Sequence, residues 1–314
     1  MRALKSVVIL ALALGLVACG DNNTTTDGKT LTDGPVAGDG SPDGPVTNPD
    51  MGIPDGGSTA ALQTVMNKLS LPTSATDFAI DLDGDSNPDN QLGAILAALA
   101  AAQFDTQGEL DSQINQGLLS LLFELFSQSL TDDATARLQF HMGAFLGTTP
   151  LFDGTDQYAI AISSPANVVL NSTLTAGKLA GGPGDFQIPI PMGATSILVD
   201  LKQTRVKGDV SSTGITNGQI NGAVPWTTVD GQLIPAIAAM INTIYTDPNT
   251  PLQTVALLKG LLDGNADGTI DANDIRNSGV LKSLLKPDLD LDKDGTKDAM
   301  SVGMGFTAVK CTIQ

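Results

Sequence analysis

The chain has 314 residues, with 34 acidic against 16 basic side chains and a net charge of −18. That balance argues against nucleic acid as a partner and against docking the body directly on an anionic membrane. Nearly all the acids are aspartate, with only Glu109 and Glu124 as glutamate. Aspartate is a residue of turns, caps and hard-cation sites, so the negative charge belongs to loops rather than to helix surfaces.

Met1 to Lys5 forms a short positive segment, and Ser6 to Leu16 is an apolar run. The run is too short to cross a bilayer core of ~30 Å as a helix, which takes about 20 residues. It closes in Leu16-Val17-Ala18-Cys19, which resembles the bacterial lipobox. The expectation is a signal peptide over 1–18, with Cys19 the first mature residue and the acceptor of a diacylglycerol. Residues 19–58 are rich in Asp, Gly, Pro, Thr and Asn and hold too few apolar side chains to bury. They read as a disordered tether with an r.m.s. span of roughly 35 Å. Cleavage removes Arg2 and Lys5, leaving 14 basic against 34 acidic side chains and a charge of −20. With Cys19 taken by lipid, Cys311 is the remaining cysteine and no intrachain disulfide can form. These features imply a lipid-anchored protein of the cell envelope, at the outer membrane.

Residues 59–314 read as one body of α+β class: helical over 59–131, β-rich over 132–228, helical over 229–287, and an Asp loop with a closing strand over 288–314. In chain order, 59–70 predicts a short helix with Leu62, Val65, Met66 and Leu69 on one face. Asp89 or Asn90 caps an Ala/Leu helix carrying Leu92, Ile95, Leu96 and Leu99. Residues 108–130 predict a longer helix whose stretch Leu118 to Phe126 is apolar almost all round, hence a buried core helix. From about 135 the period becomes two: Leu138, Phe140 and Met142, then Tyr158 to Ile162, Phe186 to Ile190 and Ile197 to Leu201. This predicts an antiparallel sheet, a small sandwich, with His141 on its polar face. Residues 232–245 return to helix, and Leu252, Val255, Leu258 and Leu262 give the next helix an apolar face.

Three Asp-rich segments point to a hard cation, calcium. Asp263, Asn265, Asp267, Asp271 and Asp274 occupy positions 1, 3, 5, 9 and 12 of an EF-hand loop, with Gly268 at 6. Thr269 would offer its carbonyl at position 7. Asp at 12, as in dockerin-type loops, closes a cation less well than Glu and predicts an affinity of about 0.1–1 mM. Asp290, Asp292, Asp294, Thr296 and Asp298 repeat the spacing, with Ser301 at the twelfth place and no exiting helix. That segment resembles a thrombospondin type 3 or dockerin half-site, and a cation there is expected to pin the strand holding Val309, Cys311 and Ile313. Asp81, Asp83, Asp85, Asn87 and Asp89 form the third set. Carboxylates this dense repel one another unless a cation or solvent screens them.

The blocks near 78–99 and 262–313 resemble secreted lipoproteins common in myxobacteria. The resemblance implies an envelope location and calcium loops, but no particular activity. Hydrolase chemistry finds little support in the sequence: one His, on a polar strand face, and neither G-x-S-x-G, P-loop nor H-E-x-x-H. The favoured reading is a non-catalytic calcium-binding envelope lipoprotein with a structural, adhesive or binding role, engaging the membrane by its lipid and an envelope or surface protein. The alternative is a carboxylate-based envelope hydrolase using Glu109 or Glu124.

Overall fold

The computed structural model describes residues 60–101, 106–165, 168–192 and 195–314. The segments expected to be signal peptide and tether, with Cys19, lie outside them. The strands are β1 (Leu62–Ser70), β2 (Leu121–Phe126), β3 (Arg137–Phe145), β4 (Gln157–Ile160), β5 (Val169–Thr175), β6 (Lys178–Met192), β7 (Thr195–Ser211), β8 (Gly214–Pro225), β9 (Ala299–Lys310) and β10 (Thr312–Ile313). The helices are α1 (Gln91–Ala101), α2 (Thr106–Asn115), α3 (Ile234–Thr246), α4 (Leu252–Leu262), α5 (Ala272–Asn277) and α6 (Gly279–Leu284). A π-helical turn, Val229–Leu233, leads into α3.

Eight strands close on themselves. Around the ring the order is β1, β9, β8, β7, β6, β5, β3, β2, and every neighbour pair is antiparallel. The closing contact joins Arg137–Gln139 of β3 to Val169–Asn171 of β5. The fold is therefore a closed antiparallel barrel with few helices, and the expected α+β arrangement around a sandwich is corrected. Period-two alternation says which face of a strand is buried. It is silent on whether the last strand meets the first, because barrel and sandwich demand the same pattern.

Two segments that read as helices are strands. In β1, Leu62, Met66 and Leu69 enter the barrel while Val65 faces outward into a smaller cluster. A bulge between Met66 and Lys68 shifts the alternation by one, which returns Leu69 to the inside. Burial on both faces plus a bulge thus mimics helical spacing. In β2, Leu121, Phe123 and Leu125 point inward and Leu122 outward, which explains an apolar run without an amphipathic stripe. Of the longer helix predicted over 108–130, only 108–115 is helical, within α2 (Thr106–Asn115).

The barrel is filled, as an eight-stranded one can be. Phe123 stacks on Phe306 at 5.2 Å and meets the edge of Phe140 at 4.7 Å. Met66, Leu138, Leu170, Leu179 and Met304 pack around them. Each such side chain, fully buried, stabilises by about 1.5–3 kcal/mol before conformational entropy is set against it. Helices α1 and α2 add Leu92, Leu96, Leu110 and Ile114 to this cluster. Gln107 accepts from Leu71 N and donates to Leu69 O, both at 2.8 Å, tying α2 to the end of β1. A second cluster joins Ile237, Ile241, Leu258, Leu262 and Ile275 of α3–α5 to Val199, Leu201, Val224 and Met300 of the barrel strands.

Outside the ring, the end of β3 pairs with β4, and β10 adds in parallel to β4. Tyr158 and Cys311 of this flap bury Val65 and Leu122. His141, opposite Leu122 on the outer face of β3, is 9% exposed rather than a surface residue. His141 Nε2 lies 3.1 Å from Glu124 Oε2; Gln63 donates to Glu124 Oε1 at 2.9 Å and accepts from Ile313 N at 3.2 Å. These bonds, that of His141 foremost, hold the Glu124 carboxyl below its usual range despite burial. Alternation placed His141 on the polar face, but could not see its partner Glu124 on the neighbouring strand.

The expected role of the last Asp loop in pinning Cys311 also needs correction. The loop precedes β9 at one end, Cys311 follows β9 at the other, and the whole strand between them is laddered to β1 and β8. Cys311 is held locally, donating from its N–H to Gln63 O at 3.0 Å.

Candidate metal centre

Asp-x-Asp spacing builds consecutive Asx turns, in which each carboxylate accepts backbone N–H groups further along. In the first loop Asp81 accepts from Gly84 N at 2.6 Å and Ser86 N at 3.0 Å. Asp83 accepts from Asp85 N, and Asp85 from Asn87 N. Gly84 and Ser86 take positive φ to make the turn. In the second loop Asp290 accepts from Gly295 N at 2.8 Å, Asp292 from Asp294 N and Asp294 from Thr296 N. Asp298 closes it, accepting from Leu291 N at 3.1 Å.

The barrel wall brings these loops side by side. Leu82 and Leu289, both buried, pack on Ala223 of β8 and Ala299 of β9. The first loop is stapled further: Phe78 O accepts from Gln219 Nε2 and Asn221 Nδ2, each at 2.6 Å. Asn90 exchanges bonds with Gly303, donating to its O at 2.9 Å and accepting from its N at 3.0 Å. Glycine is needed at 303, since a Cβ there would lie 2.5 Å from Phe78 O. Across the gap Asp290 N donates to Asp83 Oδ2 at 3.3 Å.

Two sets of carboxylates converge. Asp81, Asp83, Asp85 and Asp89 each offer an oxygen within 4.8 Å of the others, and so do Asp290, Asp292 and Asp294. Either set could hold a metal ion, and an all-carboxylate donor set suits a hard cation. Asp89 Oδ2 and Asp290 Oδ1 are buried without a hydrogen-bond partner. Burial, reinforced by the charges of Asp83, Asp288 and Asp85, pushes the Asp89 carboxyl up to about 6. Burial likewise raises Asp288, whose carboxylate accepts from Ser301 N at 2.8 Å and from the Ser301 hydroxyl. Bonds from Asn87 hold Asp85 low, and the Lys297 ammonium helps. Asn87, Thr296 and Asp298 belong to the turns and are not members of the converging sets.

Asp263, Asn265, Asp267, Thr269, Asp271 and Asp274 behave differently. Their segment runs from the end of α4 into the first turn of α5, which holds Asp274, but their carboxylates form no such converging set among the described residues. Buried Asp263 accepts from the Tyr245 hydroxyl at 2.8 Å and from Asp267 N at 3.1 Å. Asp267 accepts from Thr269 N and Oγ1. Asp271 caps α5 in a box with Asp274. Residues that matter here but carried no sequence signal are Gln219 and Asn221, which seat the first loop from distant positions through the carbonyl of Phe78 just before it.

Fold and site together define a closed β-barrel protein with paired carboxylate loops on its outer wall. No known protein family, curated protein or solved structure matches the chain.

Proposed function

We propose that this is a calcium-stabilised, lipid-anchored protein of the cell envelope whose barrel serves a structural or binding role rather than catalysis. The observation that carries the calcium reading is the meeting of the 81–89 and 290–298 loops, with buried, unpartnered oxygens of Asp89 and Asp290 between crowded carboxylates. Calcium takes six to eight oxygens in flexible geometry, which short Asx loops supply more readily than the strict octahedron magnesium demands. The lipobox-like sequence ending at Cys19 and the tether after it support the anchor.

A cation that binds only the folded state stabilises it by about 1.4 kcal/mol at ten times Kd. Calcium at a few times ~1 mM should therefore raise the melting temperature, with magnesium weaker. Asp83→Asn combined with Asp290→Asn should remove most of that rise. A melting curve indifferent to calcium and chelator would refute the calcium reading. The anchor is tested separately: Cys19→Ser should abolish labelled fatty-acid uptake and partition into detergent, and a variant that still partitions would refute it.

A further inference from the structure

We propose that the outer face of α4 is a membrane-contact surface, seated on the lipid bilayer to which Cys19 tethers the chain; the inference rests on the lipoprotein reading above. Helix α4 buries Leu258 and Leu262 against the barrel-side cluster. Its opposite face presents Leu252, Leu257 and Leu261 at 85%, 55% and 50% exposure, although the sequence places Leu252 on the packed side. Gln253, Ala256, Lys259 and Gly260, all exposed, complete that face. A helix apolar all round is normally covered.

The charge pattern sharpens the point. No acid occurs between Asp247 and Asp263 or between Asp274 and Asp288, while Lys259, Lys282 and Lys286 in those stretches are exposed. In a mature chain of charge −20 these are acid-free stretches of sequence. A bilayer is the surface that the lipoprotein reading itself supplies: lipid on Cys19 would hold the body at high effective concentration near the membrane. No helix among the described residues is long and apolar enough to cross a membrane. The fitting geometry is a helix lying in the interface, its leucines in the acyl boundary and Lys259 reaching the headgroups.

The test uses the full-length lipidated protein on phosphatidylcholine vesicles, with and without phosphatidylglycerol, carrying quenchers on the acyl chains. An environment-sensitive thiol probe is placed at Leu257→Cys, or at Ser212→Cys in the exposed β7–β8 turn as the reference position. Cys311 stays dark because burial holds its thiol up to about 12. The expected result is a blue shift and strong quenching at 257 and neither at 212. Gly260→Glu should abolish both, and Gly260→Lys should keep them. A Cβ at 260 meets nothing within 4 Å and the position is exposed, so both variants should fold. Vesicle flotation with a water-like probe at 257 would overturn the docking alone. A blue shift that grows with protein density and escapes the acyl quenchers would mean that a second copy covers the face, overturning it as well. Failure of the protein to float would remove the anchor and the docking with it.

Discussion

Residues 263–274 match an EF-hand loop at every acidic position, whereas 81–89 and 290–298 match it only in part. Yet the carboxylates converge in the second pair of loops and not in the first. In 263–274 each acid finds a nearby donor: Tyr245 and Asp267 N for Asp263, Thr269 for Asp267, and a capping box for Asp271 and Asp274. In the other pair, each loop gathers its own carboxylates, and the packing of Leu82 and Leu289 on the barrel wall seats the two loops side by side. Spacing fixes the turn; the surface under the turn decides which other charges stand beside it.

The largest effect expected from this contrast comes from the wall itself. Gly303→Ala drives a methyl to 2.5 Å from Phe78 O and 2.7 Å from Asn221 Nδ2. It should cost about 1–3 kcal/mol and loosen the first loop. Gly264→Ala, with nothing within 4 Å, should be close to neutral. Urea melts of the two variants make the comparison, and equal midpoints would mean that the wall does not hold the loop.

A smaller effect separates the loops by their dependence on a cation. Tyr245→Phe leaves one Asp263 oxygen without its donor and should cost about 1 kcal/mol. The loss should be the same in chelator and in calcium if Asp263 is a structural acceptor. A loss that doubles in calcium would instead make Asp263 a ligand.

The smallest effect is in pH. Because Asp89 titrates at about 6 in the fold, above the ordinary carboxylate range, the folded state holds this proton more tightly than the unfolded one. Its contribution therefore favours folding in acid and is lost as pH rises through about 6. In chelator, Asp89→Asn should gain melting temperature relative to wild type on going from pH 4.5 to pH 7 (chosen test conditions). Calcium should shrink or reverse that gain, since the carboxylate then has a partner. A difference between the two proteins that stays flat with pH would show that Asp89 carries no such strain.

Much of this molecule is determined by local sequence. Strands β3, β4, β6 and β7 lie where alternation places them, α1 starts at its expected Asn90 cap, α3 and α4 lie where helical spacing places them, and the Asp loops turn where Asp-x-Asp and Gly require. Those features depend on a few neighbouring residues and on the period of the backbone. What only the tertiary structure decided depends on contacts between distant segments. β1 and β2 bury both faces, so their patterns lose the period that would name them. Barrel closure is a single pairing between β3 and β5, and no residue type marks it. His141 and Glu124 meet as a largely buried pair because β2 and β3 are neighbours, with Gln63 of β1 linking Glu124 to the backbone of β10. The two carboxylate loops, more than two hundred positions apart, became one acidic surface because β8 and β9 are neighbours beneath them. Sequence sets the charge each loop carries, and packing sets how near those charges must stand.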